Sequence, residues 1–137
     1  MKDTQTLLYV DDNPKSRRLL TAILEQHGFT VMAAGDSLDE IRRCGEARFD
    51  LVLLDYDMPP ISGSDLAREI KCKHPDVPIV MISGRTPVPE QELTFIDAHF
   101  GPNTALDDLV ATMHMLVTGS FLTEETLERA THWADST

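Results

Sequence analysis

Lysine is absent after Lys73, and residues 86–137 carry one basic residue, Arg129, against nine acidic ones. The whole chain has a formal net charge of −11. Such an acidic balance repels phosphate backbones and anionic lipid, so nucleic acid and membrane surfaces are excluded as partners. No apolar run approaches the ~20 residues needed to span a bilayer. There are only two cysteines, Cys44 and Cys72, spaced for neither a metal nor a redox motif. The first residues lack a cationic stretch followed by an apolar one, so no export signal is read there. Reduced thiols in the cytoplasm are the expectation. Aromatics are sparse at 6%, and seven Gly and eight Pro in 137 residues are too few for collagen or low-complexity sequence. What remains, 42% hydrophobic and 26% charged, is the profile of one ordinary globular domain.

Short apolar runs alternate with helical patterns. Thr6–Val10, Phe29–Ala33, Asp50–Leu54, Val77–Ile82 and the weak Ala98–Phe100 read as strands, most of them apolar throughout, as strands buried on both faces are. Leu20, Ile23, Leu24 and His27 fall at helical spacing after an Asn13-Pro14 start, with Gly28 as the stop. Leu38 and Ile41 mark a second helix, and Leu66 and Ile70 a third that opens near Gly63 and ends before Pro75. Leu106, Leu109, Val110, Met113, Leu116 and Val117 form the clearest 3.6-residue stripe. The repeated strand–helix order predicts a doubly wound α/β domain, a five-stranded parallel sheet with helices on both faces, over residues 1–119. Residues 120–137 read as a short extra C-terminal helix, with Thr123 as N-cap and Leu127, Ala130 and Trp133 on one face.

Ligands bind such sheets beyond the carboxyl ends of the strands. There the sequence places Asp11-Asp12 after the first strand, Asp55-Tyr56-Asp57 after the third, and Ser83-Gly84 after the fourth. Any one of these Asp residues alone reads as a helix cap or a solvated carboxylate. Three converging on one rim repel one another unless a cation sits among them, and Mg²⁺ suits oxygen ligands that leave room for water and a phosphate oxygen.

These residues carry a resemblance. Asp11-Asp12 after an apolar strand, Asp55 within LVLLDYDMPPISG and Ser83 within IVMISG resemble the receiver domain of two-component response regulators, over about residues 5–118. The resemblance implies a flavodoxin-like fold and a phosphoacceptor role for Asp55, whose carboxylate attacks the phosphohistidine of a histidine kinase or phosphotransfer protein. It implies Mg²⁺ held directly by Asp12 and Asp55, by Asp11 mainly through water, and by Asp57 through its backbone carbonyl. Ser83 resembles the hydroxyl that turns toward the phosphoryl oxygens, and Met58-Pro59 with Gly63 resemble the turn into the third helix. Output would pass through contacts with a downstream protein, and pairing with a second copy stays open. No enzyme activity is expected. Asp55-Tyr56-Asp57 also resembles the DxD of haloacid-dehalogenase-type phosphatases, but the downstream Lys that family needs is absent, and Asp107-Asp108 falls on the last periodic helix.

Receiver domains usually carry a Lys followed by Pro at the end of the fifth strand. Here that stretch is Ala98-His99-Phe100-Gly101-Pro102-Asn103, with His99 in the place of the usual aromatic residue. Losing that Lys removes a charge-assisted contact of ~1.5–3 kcal/mol to the phosphoryl group. Arg85 could substitute, or the chain could be a pseudo-receiver that binds proteins without phosphotransfer. Pro87 and Pro89 further predict a short or late fourth helix.

Overall fold

Side chains along a strand leave opposite faces in turn, and in β1 (Gln5–Val10) that alternation separates two cores. Leu8 and Val10 join Val52, Leu54, Leu66 and Ile70 on one side; Leu7 and Tyr9 join Leu24, Leu53, Phe100 and Met113 on the other. The computed structural model describes residues 5–84 and 87–118. The expected C-terminal helix over residues 120–137 and the Arg85 side chain lie outside the described residues.

Besides β1, the sheet contains β2 (Phe29–Ala34), β3 (Leu51–Asp55), β4 (Ile79–Ile82) and β5 (Ala98–Phe100), all parallel, in the order β2-β1-β3-β4-β5. Chain direction through the sheet therefore reverses between β1 and β3, the switch point where doubly wound sheets open a crevice. The five strands fall where the apolar runs place them, with ends moved by one or two residues. Pro78 has no N–H for the ladder, so β4 begins only at Ile79, while the Pro78 carbonyl still accepts from Val52 N at 3.0 Å.

Local capping sets the helices. The Asn13 side chain accepts from Lys15 N and Ser16 N to start α1 (Pro14–Gln26), and Gly28, at φ +98°, takes the left-handed turn after it. Ser37 caps α2 (Leu38–Cys44), and Ser62 caps α3 (Gly63–Lys73). The periodic stripe forms α4 (Leu106–Thr118), which buries Leu109, Val110 and Met113. The connection from β4 to β5 differs from the sequence expectation of a shortened helix. Among the described residues it holds one turn of 3₁₀-helix, Glu90–Leu93, entered from Pro89. Pro87 and Pro89 remove two N–H donors and disfavour helical conformation in the residues before them, which leaves too little chain for an α-helix before Asp97.

Candidate functional site

Strand register builds the site. Val10 pairs with Leu54, so the residues that follow, Asp11 and Asp55, leave neighbouring strands at the same edge. Asp55 in turn pairs with Ile82, and Ile82 with Phe100, which places Ser83 on that edge as well. Carboxylate oxygens of Asp11, Asp12 and Asp55 lie within 4.8 Å of one another; Asp11 is buried, Asp55 half-buried and Asp12 exposed. At such a spacing each pair of charges repels by about 3 kcal/mol for an effective dielectric constant of about 20.

The donors around these carboxylates are unequal. Asp11 accepts from the Tyr9 hydroxyl at 2.6 Å on Oδ2 and from Asn13 N at 2.9 Å on Oδ1. Asp55 Oδ1 accepts from Asp57 N at 3.0 Å. Burial, reinforced by the neighbouring Asp11 and Asp57 charges and only partly opposed by the Asp57 N–H, pushes the Asp55 carboxyl up to about 7. Burial and the Asp11 carboxylate together push the Tyr9 hydroxyl well above its ordinary value, so Tyr9 stays a proton donor. A divalent cation would offset both the burial and the like charge that raise Asp55, and three carboxylates with one exposed side suit Mg²⁺ with several retained waters.

Asp57 is not drawn into this cluster by its side chain. Its Oδ2 accepts from Gly84 N at 3.0 Å, tying the loop after β3 to the loop after β4. Ser83 is buried, and its hydroxyl meets His99 Nε2 at 3.2 Å. Burial holds His99 below its ordinary pKa, so its ring is neutral. Asp107 and Asp108 sit on α4, away from the acidic cluster.

Three supporting groups are invisible to motif reading. Tyr9 reads as one more apolar strand residue, although a hydroxyl buried two positions before Asp11, on the same face of the strand, needs a partner there. Arg17 donates from NH1 to the Asp11 carbonyl at 2.8 Å and from NH2 to Asp36 at 2.6 Å, bracing the rim from the α1 side. Glu92, on the 3₁₀ turn, accepts from the Tyr56 hydroxyl at 3.0 Å and the Ser64 hydroxyl at 3.2 Å, docking that turn against the site.

Comparison with known proteins agrees with this geometry. The response regulator receiver domain pattern matches residues 7–99. The chain belongs to the response-regulator receiver family. Over 106 residues it is 34% identical to the DNA-binding response regulator MtrA of Mycolicibacterium smegmatis, covering 77% of this chain and 43% of that protein. The chain thus spans less than half the length of such curated relatives. Among solved structures, the response regulator TrrA of Thermotoga maritima in complex with Mg²⁺-BeF is 28% identical with a TM-score of 0.74, covering 82% of this receiver and 99% of TrrA. TrrA bound to the histidine kinase ThkA matches at 27% identity and the same TM-score, with 84% and 100% covered. No helix among the described residues of this receiver is long and apolar enough to cross a membrane.

Proposed function

We propose that this receiver is a phosphoacceptor in two-component signalling, taking a phosphoryl group on Asp55 and passing the signal on through altered protein contacts. One observation carries the reading: Asp55 ends β3 within 4.8 Å of Asp11 and Asp12, with its carboxyl pushed up to about 7 by burial and like charge. That is a nucleophile whose ionised form depends on a cation. Asp12 and Asp55 would hold Mg²⁺ directly and Asp11 through water, its two oxygens being engaged by Tyr9 and Asn13. Bound there, Mg²⁺ neutralises charge on the transferring group.

The Asp55 carboxylate attacks the phosphorus of a partner's phosphohistidine, the P–N bond breaks, and the imidazole leaves with the electron pair. Asp57 N–H holds Oδ1 of the nucleophile. To reach a phosphoryl oxygen, the Ser83 hydroxyl turns from His99, which loosens the contact between β4 and β5. TrrA, seen with Mg²⁺-BeF and with a histidine kinase, supports both the metal and the kind of donor. The role is that of an acceptor, not of an enzyme with its own substrate. The acidic stretch 86–137 favours a basic protein surface as downstream partner.

A pseudo-receiver reading is favoured by one observation, the absence of Lys from Ala98–Asn103. Incubation with acetyl phosphate and Mg²⁺ separates the two. The expected product is an acid-stable, base-labile acyl phosphate in the wild type that is lost in Asp55→Asn and, with Mg²⁺ omitted, in both. No incorporation in the wild type, or a phosphate that persists in Asp55→Asn, overturns the phosphoacceptor role.

A further inference from the structure

A cavity of about 390 Å³ opens beside the acidic rim, between α1 and the segment joining β5 to α4. Asp11 and Asp55 line it together with Tyr9, Ser16, Ser83 and Thr104, and the rest of the wall is mostly apolar, with Leu20 and Ile23 from α1 and Leu106 from α4. No Lys, Arg or His among the described residues lines it. Asp12 does not reach it, and opens instead onto a separate groove beside Gly35 and Pro59. The carboxylate cluster therefore has two accessible sides. One exposes Asp12 to water, as a hydrated metal requires, and the other is a recess with two acids, a few hydroxyls and a mostly apolar wall.

Charge held against low-dielectric walls is costly when unpaired, so the recess selects for a cation. Its walls select against a hydrated one. The complement is an ammonium group on an apolar stem, whose methylenes lie along Leu20, Ile23 and Leu106 while the charge lies at the Asp55 end of the recess. At about 390 Å³ the recess lies near the lower end of the ~300–1,000 Å³ range of ligand sites, which matches a side chain better than a nucleotide. No Lys or Arg side chain among the described residues lines the recess, although Lys15 and Arg18 stand exposed elsewhere on α1. Leu19 stands at the mouth, 66% exposed, where the surface around an inserted side chain would cover it. The net charge of −11 steers basic protein surfaces toward it.

We propose that this cavity receives a lysine side chain of a partner protein, whose ammonium group supplies in trans the positive charge that stabilises a phosphoryl group on Asp55. The proposal rests on the phosphoacceptor reading and adds to it that the phosphorylated state is completed by the partner.

The test measures beryllofluoride affinity in Mg²⁺ by calorimetry, with Nα-acetyl-lysine methylamide as probe and tetramethylammonium at equal ionic strength as control. The expected result is a saturable tightening of about tenfold with the lysine probe and none with the control, together with NMR shifts at Leu20 and Leu106. Ile23→Trp enlarges a wall residue while leaving both acids in the sequence and should abolish the response. Pro102→Lys offers the cation in cis; it should bind beryllofluoride about tenfold tighter without probe and ignore the probe. A wild type that responds equally to both cations overturns the proposal, as does an unchanged response in Ile23→Trp. So does loss of probe-free binding in Arg85→Ala, which would mean that the cation comes from this chain. Saturation by spermidine far below the lysine probe would identify a free polyamine as the occupant and overturn the protein partner. A wild type that binds beryllofluoride neither with nor without probe rejects the phosphoacceptor reading itself, an outcome distinct from binding that ignores the probe.

Discussion

Asp55→Asn should make the metal-free protein more stable at pH 8 and change little at pH 4. The carboxyl titrates at about 7 in the fold against an ordinary value of 3.8, so the folded state holds this proton more tightly than the unfolded chain does. Stability is then fullest below pH 3.8 and is lost as pH rises through about 7. At ~1.4 kcal/mol per pH unit the shift corresponds to about 4 kcal/mol, which water at the rim screens to about 2 kcal/mol. Asn keeps an oxygen for Asp57 N and removes the charge that faces Asp11. Urea unfolding in EDTA across pH 4–8 should show the variant gaining on the wild type through that window, ending about 2 kcal/mol more stable. Mg²⁺ should narrow the gap by stabilising the wild type alone, by mass action. A variant no more stable than wild type at pH 8, or a gap independent of pH, would refute the claim that crowded carboxylates strain this rim.

Tyr9→Phe removes the 2.6 Å donor from a buried carboxylate and should cost about 1–3 kcal/mol in urea unfolding while leaving the core filled. Gly35→Ala puts a Cβ 1.9 Å from the Asp11 carbonyl, so the strand end must shift; a loss of about 1–3 kcal/mol together with weaker Mg²⁺ binding is expected, measured on the same titrations. His99 is held below its ordinary pKa by burial, so stability should fall as pH drops below about 6.5. His99→Gln should remove that acid-side loss and keep a partner for Ser83; a slope unchanged in the variant would show that His99 does not cause it.

The sheet was legible in the sequence because parallel strands buried on both faces leave continuous apolar runs, and Leu51–Leu54 or Ile79–Ile82 admit few other placements. The acidic rim was legible because its residues follow those runs directly, and strand adjacency then brings them together. The β4–β5 connection was legible only in part. Pro87 and Pro89 signal a defect in the helix, but the docking of the 3₁₀ turn that replaces it rests on Glu92 meeting Tyr56 and Ser64, 36 and 28 residues away in sequence. Tyr9 escaped because a strand tyrosine counts as apolar until its hydroxyl is assigned a partner, and that partner's burial is a tertiary fact.

Several basic residues are engaged away from the acidic cluster. Arg17 is committed to the Asp11 carbonyl and Asp36, and Lys71 to Asp97 and the Val77 carbonyl. The remaining ion pairs among the described residues, Arg42–Glu69, Arg68–Asp65 and Lys73–Glu46, lie on α2, α3 and the loop between them and the strands, outside the cluster. No ion pair among the described residues involves Asp11, Asp12 or Asp55, whose carboxylates lie within 4.8 Å of one another. Like charges this close repel, and a cation bound among them would gain the free energy of relieving that repulsion. Differential binding of this kind is what would bias a two-state element, and Ser83, which follows β4 at the same edge and meets His99 of β5 at 3.2 Å, is placed to pass that bias to β5.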